Sequence, residues 1–212
     1  MKTRSIAAGA LALAAVGTGL ASASSASSAS SATSAGPRIS FAMQRSPGIV
    51  TAGCLPHAQA KVTVRHDGQV ERMRIQAWGL PKNTDFDTFV IQVPNAPFGV
   101  SWYQGDLESN RYGKAEVEYV GRFSQETFAI APGVAPAPSV HAAPTPDATS
   151  NPAFGPVHTF HVGIWFNSPA DALKAGCPGG TTPFNGEHNA GVQVLNTGSF
   201  ADTAGPLGRF HP

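Results

Sequence analysis

Apolar and polar residues alternate with a period of two in several separate segments of this chain, and that pattern predicts strands. From Lys61 to His66, Val62 and Val64 share one face and Lys61, Thr63 and Arg65 the other. Gln69 to Trp78 continues with Met73, Ile75 and Ala77 opposite Arg72, Arg74 and Gln76. Between them, Asp67-Gly68 reads as the two-residue loop of a type I′ hairpin. Further strands are expected at Phe86 to Val93, Phe98 to Gln104, Ala115 to Tyr119, Arg122 to Ile130, Val157 to Phe166 and Gly191 to Leu195. Ser168 is placed to cap one short helix, with Pro169 first inside it, Asp171 in its first turn and Gly176 beyond its end. Short strands joined by turn residues, with no helical crossovers, predict an all-β fold: an antiparallel β-sandwich or a partly open barrel.

Two segments fall outside this pattern. Ala131 to Pro156 is studded with proline and has no periodicity, so it reads as a long surface insertion within one domain. Ser22 to Gly36 is almost pure Ser and Ala, a composition that buries nothing and suits a disordered spacer. Ordered sequence is expected to begin near Ile39 or Cys54, and the organisation is read as a leader over residues 1–23, a spacer and lead-in over 24–53, and a single domain over 54–212 carrying the insertion 131–156.

The leader is read from its three parts. Met1-Lys2-Thr3-Arg4 gives a basic start, Ile6 to Leu20 is apolar or small throughout, and Ala21-Ser22-Ala23 forms an A-x-A cleavage pattern. This is the build of a secretory signal peptide. A transmembrane anchor needs about 20 strongly apolar residues, and this run is shorter and rich in Ala and Gly. The protein is expected to be secreted, with no membrane association after cleavage.

Export changes the reading of the cysteines. Cys54 and Cys177 are the only two in the chain, and an even count outside the cell predicts a disulfide. Two cysteines this far apart match no zinc-ligand spacing. Once Lys2 and Arg4 leave with the signal, the 14 basic residues become 12, against 13 acidic ones. That balance lacks the basic patch of a nucleic-acid binder or a polybasic membrane segment. Charged residues make up 13 % of the chain, well below the usual share of about 25 %.

Few residues carry candidate chemistry. His158 and His161 stand at i and i+3 on one expected strand, which places them on opposite faces unless a bulge intervenes. Asp106-x-Glu108-x-Asn110 has the alternating oxygens of a calcium loop, but Arg111 and Val117 stand where an EF-hand needs Gly and Glu. Asp85 and Asp87 are expected as two solvated charges at a strand start, and Glu187-His188 offers an acid beside a base. There is no G-x-S-x-G and no H-E-x-x-H, so no catalytic residue, metal ligand or cofactor site is assigned. Trp165 is expected in the core. Trp102 and Tyr103 are neighbours on one strand, so at least one ring must face outward, and they form the candidate binding surface.

The stretches PNAPFG-SWYQGD (Pro94 to Asp106), HVGIWFNSPADALKAGCPG (His161 to Gly179) and GPL (Gly205 to Leu207) resemble a group of exported proteins of high-GC Gram-positive bacteria. The resemblance implies a bacterial, secreted origin. That group has no assigned activity, so no site residue is carried over from it. The sequence is read as a secreted binding or structural module whose partner is an extracellular ligand, such as a cell-wall polysaccharide or a protein. The alternative is a small secreted hydrolase, metal-assisted in one form, drawing on His158, His161, Glu187 and His188. N-terminal sequencing of protein from culture medium should find the mature chain starting close to Ser24; a retained Met1 would refute the leader.

Overall fold

A computed structural model of the chain describes residues 36–125, 158–185 and 188–211. The leader, the Ser/Ala spacer up to Ala35, the proline-rich insertion 131–156 and Glu187 lie outside the described residues. The strands in chain order are β1 (Arg38–Arg45), β2 (Gln59–Asp67), β3 (Val70–Trp78), β4 (Asp85–Ile91), β5 (Ser101–Glu108), β6 (Ala115–Gly121), β7 (His161–Phe166), β8 (Thr182–Asn185), β9 (His188–Ala190) and β10 (Gln193–Asn196). Eight of them form one sheet in the order β5-β4-β7-β10-β1-β2-β3-β6, while β8 and β9 form a separate hairpin. Every pairing is antiparallel.

The sheet curls until its end strands, β5 and β6, lie side by side. They are joined across the seam by Tyr119, whose hydroxyl hydrogen is shared between the carbonyls of Asp106 at 2.9 Å and Gly105 at 3.2 Å. The all-β expectation is met in its partly open barrel form. The interior is filled by the inward residues of the alternating strands, including Val62, Val64, Met73, Ile75, Phe86, Leu107, Val162, Ile164 and Phe166. Burying a side chain of this kind is worth about 1.5–3 kcal/mol, so the packed interior holds the barrel.

The structure corrects the sequence at four points. The fold starts before Cys54, because Ile39, Phe41 and Met43 alternate and put β1 in the middle of the sheet. A second short helix, α1 (Pro47–Thr51), precedes the expected one, α2 (Pro169–Lys174), and both open on the same Ser-Pro pair. Ser46 Oγ accepts the Ile49 N–H at 3.4 Å, and Ser168 Oγ accepts that of Asp171 at 3.1 Å. The β2–β3 loop is Gly68-Gln69, not Asp67-Gly68, since Asp67 pairs with Val70. With positive φ at Gly68 and not at Gln69, this is the type II′ pattern. Finally, residues 122–125 form a turn where a strand was expected. The buried Glu71 carboxylate accepts the backbone N–H of Ser124 at 2.9 Å and also its hydroxyl, which fixes that turn.

The outward face of β2, β3 and β6 carries a ladder of ion pairs. Arg72 reaches Asp67 and Glu118, Arg65 reaches Asp67 and Glu118, and Arg74 reaches Glu116. The Arg72 hydrogen bond holds the Asp67 carboxyl below the ordinary carboxylate range. Exposed pairs are individually worth about 0–1 kcal/mol; here they offset the like charges of Arg65 and Arg72, which stand directly opposite one another.

Cys54 and Cys177 form a disulfide across 123 residues, with Cα atoms 5.5 Å apart. It ties the end of α1 to the chain just after α2. On the chain-entropy model a loop of this length constrains the unfolded state by about 5 kcal/mol. Replacing both cysteines with serine should lower the unfolding free energy measured in urea by about 2–5 kcal/mol. An unchanged midpoint would show that the bond contributes nothing to stability.

Candidate functional site

Strand β5 places Trp102 and Tyr103 on opposite faces of the sheet, as alternation requires, yet both are exposed, at 44 % and 46 %. Trp102 pairs with Val90, whose side chain packs into the barrel core, while Tyr103 pairs with Phe89 on the outer side. An interior strand would bury the inward ring. β5 ends the sheet, so nothing pairs along its free edge at Trp102 among the described residues. The sequence required one outward ring and the structure gives two exposed ones.

Tyr103 ends a run of aromatic rings on the outside of the sheet. Phe98 meets Trp165 edge to face at 5.1 Å, Trp165 meets Phe89 at 5.4 Å, and Phe89 meets Tyr103 at 5.5 Å. With Ile91 and Ala190 these rings form a second apolar layer, separate from the barrel core. Trp165 is fully buried as expected, but in this outer layer. Its indole lies against Gly163, where an added Cβ would come within 2.3 Å of the ring, so only glycine fits.

The loop before β5 holds Phe98 in place. The Pro94 carbonyl accepts hydrogen bonds from Gln193 Nε2 and Asn196 Nδ2, both at 3.0 Å. Gln193 and Asn196 are three residues apart and would diverge on a regular strand. A register irregularity between Gln193 and Leu195 brings them together, 2.9 Å apart. Beside this loop opens a cleft of about 690 Å³ lined by Ser46, Asn95, Phe98, Thr182, Val192 and Gln193 among others. None of its lining residues carries an ionisable side chain. Aromatic and apolar walls with a few amide and hydroxyl groups are the usual make-up of a binding site for an uncharged organic ligand.

Carboxylates border the strip. Asp85 faces Glu108 and Asp87 faces Asp106 across β4 and β5. The expectation that Asp85 and Asp87 are both solvated fails for Asp87, which is only 6 % exposed, because β4 is an interior strand between β5 and β7. Tyr103 donates its hydroxyl hydrogen to Asp106 Oδ1, and burial together with that carboxylate raises the phenol well above its ordinary pKa. The calcium loop is not formed. Asp106 and Glu108 lie within β5, and Asn110 Oδ1 accepts the backbone N–H groups of Tyr112 and Lys114. Among the described residues, no group of three or more His, Cys, Asp or Glu side chains is placed to hold a metal ion.

Of the hydrolase candidates, the side chains of His158 and His161 are described, one exposed and the other buried. His158 is exposed and stacks on Phe160 at 5.0 Å. His161 is fully buried. Its Nε2 faces the Asp202 carbonyl at 3.2 Å, which can only accept, so Nδ1 accepts from the Thr197 hydroxyl at 2.9 Å. Glu187 lies outside the described residues, and the backbone of His188 opens β9. Sequence reasoning missed the aromatic partners of Tyr103: Phe89 was read only as one face of a strand, and nothing local ties Phe98 to Trp165.

No family's sequence profile matches this chain, and no curated protein matches it. No helix among the described residues is long and apolar enough to cross a membrane.

Burial holds His161 below the ordinary histidine value of 6.5. As pH falls through 6.5 the unfolded chain takes up a proton that the native state refuses, so stability must fall with it. Urea midpoints measured from pH 8 to pH 5 should decline below pH 6.5, and His161→Asn should flatten that decline. An equal slope in the variant would remove His161 as its source.

Proposed function

We propose that this chain is a secreted bacterial binding module that engages a cell-wall polysaccharide through the Trp102–Tyr103 strip and its adjoining cleft. The observation that carries this reading is the pair of exposed rings on one end strand, of which Tyr103 continues through Phe89 and Trp165 to Phe98 at an uncharged cleft. An aromatic ring offers apolar area at small conformational cost, and a Trp or Tyr also offers a polar tip. The Asn, Gln and Thr groups of the cleft can bond hydroxyls without the desolvation cost of a buried charge. The disulfide fits an oxidising compartment, and the A-x-A leader supports export. The resemblance to exported proteins of high-GC Gram-positive bacteria agrees with a site of action at the cell exterior.

The test is co-sedimentation of the purified mature protein with insoluble cell-wall polysaccharide, alongside a pull-down against secreted proteins. Retention on the polysaccharide should fall at least tenfold in Trp102→Ala or Tyr103→Ala, since anchor residues supply much of an interface's free energy. Both variants should keep their strand spectrum, because the rings are half exposed. Capture of a protein with no polysaccharide retention would replace the ligand class. A substrate turned over with loss on His158→Ala or His188→Ala would replace the reading by the hydrolase.

A further inference from the structure

A second groove lies on the outward face of β2, β3 and β6, beside the turn that joins β5 to β6. It measures about 640 Å³ and is lined by Lys61, Gln76, Trp78, Asn110, Lys114 and Glu116, with two alanines at its floor. The strand register explains how these residues meet. Lys61 stands opposite Gln76, and Gln76 opposite Glu116, forming one row across three strands. Gln59 stands opposite Trp78 in the next row, and Lys114 immediately precedes Ala115, the partner of Ala77. Trp78 is 37 % exposed at the end of β3.

The turn after Trp78 is fixed. Gly79 has φ +70°, and a Cβ there would come within 2.1 Å of the His57 carbonyl oxygen, so the chain must be glycine at this point to fold back. The Leu80 N–H then bonds the Gly113 carbonyl at 3.1 Å, and Asn110 Oδ1 accepts the Lys114 N–H at 3.2 Å. The indole and Lys114 are thus held on two turns bonded to each other.

The charges of the groove are unevenly satisfied. Glu116 accepts from Arg74 Nε at 2.9 Å and from Gln76 Nε2 at 2.8 Å, and these bonds hold its carboxyl below the ordinary range. Its charge is matched inside the ion-pair ladder. Neither Lys61 nor Lys114 has an ion-pair partner among the described residues. In a chain whose total charge is close to zero, this groove combines two unmatched ammonium groups with an exposed indole.

We infer that the groove binds an anionic saccharide, with a pyranose ring lying against the Trp78 indole and a carboxylate or phosphate of that sugar between Lys61 and Lys114. The indole supplies a flat apolar surface for the ring. The two ammonium groups supply charge-assisted bonds that a neutral sugar cannot use. The groove is separate from the Trp102–Tyr103 strip, since Trp102 begins β5 and the groove adjoins its far end. It stands whether or not that strip binds a glycan.

Titration calorimetry of the mature protein with trigalacturonate, glucose 6-phosphate and the neutral cellotriose tests this. At least one anionic probe should bind at least tenfold tighter than cellotriose, and the uronate and phosphate arms identify the acid the groove prefers. Binding should weaken on raising salt from about 0.05 M to 0.5 M, because exposed charge pairs are screened over that range. Trp78→Ala should abolish it. The double variant Lys61→Gln with Lys114→Gln keeps the indole and, with both side chains exposed, keeps the fold; it should reduce binding of the anionic probe at least tenfold. Absence of binding by both anions, equal binding of cellotriose, or full binding by the double variant would overturn the proposal.

Discussion

The backbone hydrogen bonds of β1 run to two partners, β2 along Arg38 to Met43 and β10 at Gln44 and Arg45. Because one strand serves both, the polar-faced half of the sheet (β2, β3, β6) and the apolar-faced half (β10, β7, β4, β5) become a single sheet that can curl around one core. Ser46 extends the second contact: its N–H bonds the Val194 carbonyl at 2.9 Å, and its hydroxyl donates to the Gln193 carbonyl. The same hydroxyl caps α1, and the disulfide follows a few residues later. Strand, cap and covalent bond therefore act at one corner. Without β1 the two halves would each expose an apolar face and a further open edge.

What β1 holds in place reaches the aromatic strip through β10. The irregularity at Gln193 to Leu195 turns two amides to one side, and those amides hold the Pro94 carbonyl. That carbonyl begins the loop that delivers Phe98 to Trp165. Each of these polar groups is buried and bonded, which makes the arrangement rigid; one partner removed would leave an unsatisfied buried group costing about 1–3 kcal/mol. The strip is thus preorganised by buried amides, with Gln193 standing directly opposite Trp165.

Much of the fold was legible in the sequence because alternation is a local signal. Val62, Val64, Met73, Ile75 and Ala77 point inward as their spacing dictates. The same signal was present in Ile39, Phe41 and Met43, but the Ser/Ala run before them obscured where the fold begins. The strand expected over Arg122 to Ile130 did not survive at its start because a long-range bond from Glu71 captures Ser124, and no local pattern encodes that. The site divides in the same way. Neighbouring Trp102 and Tyr103 announced a ring at the surface from adjacency alone. That both are exposed depends on β5 being the last strand, which is a property of topology. The Trp78 groove is an arrangement of registers across three strands, and its unmatched lysines become visible only when the partners of Glu116 are known.

The seam between β5 and β6 explains why the end strand is left open. β6 presents Glu116 and Glu118 outward, and β5 presents Asp106 and Glu108 on the same outer side. Like charges set along two facing strands disfavour a ladder between them. The arginines of β3 neutralise the β6 pair, but they stand on the far side from β5. Closure falls instead to Tyr119, a neutral donor whose pKa burial pushes up to about 12, so it keeps its hydrogen across the physiological range. A single hydroxyl bridging Gly105 and Asp106 fixes the middle of β5 and leaves its first residues unpaired on that side among the described residues. Trp102 sits on those residues. The partial closure that this charge pattern imposes is therefore what turns an inward-facing tryptophan into an exposed one.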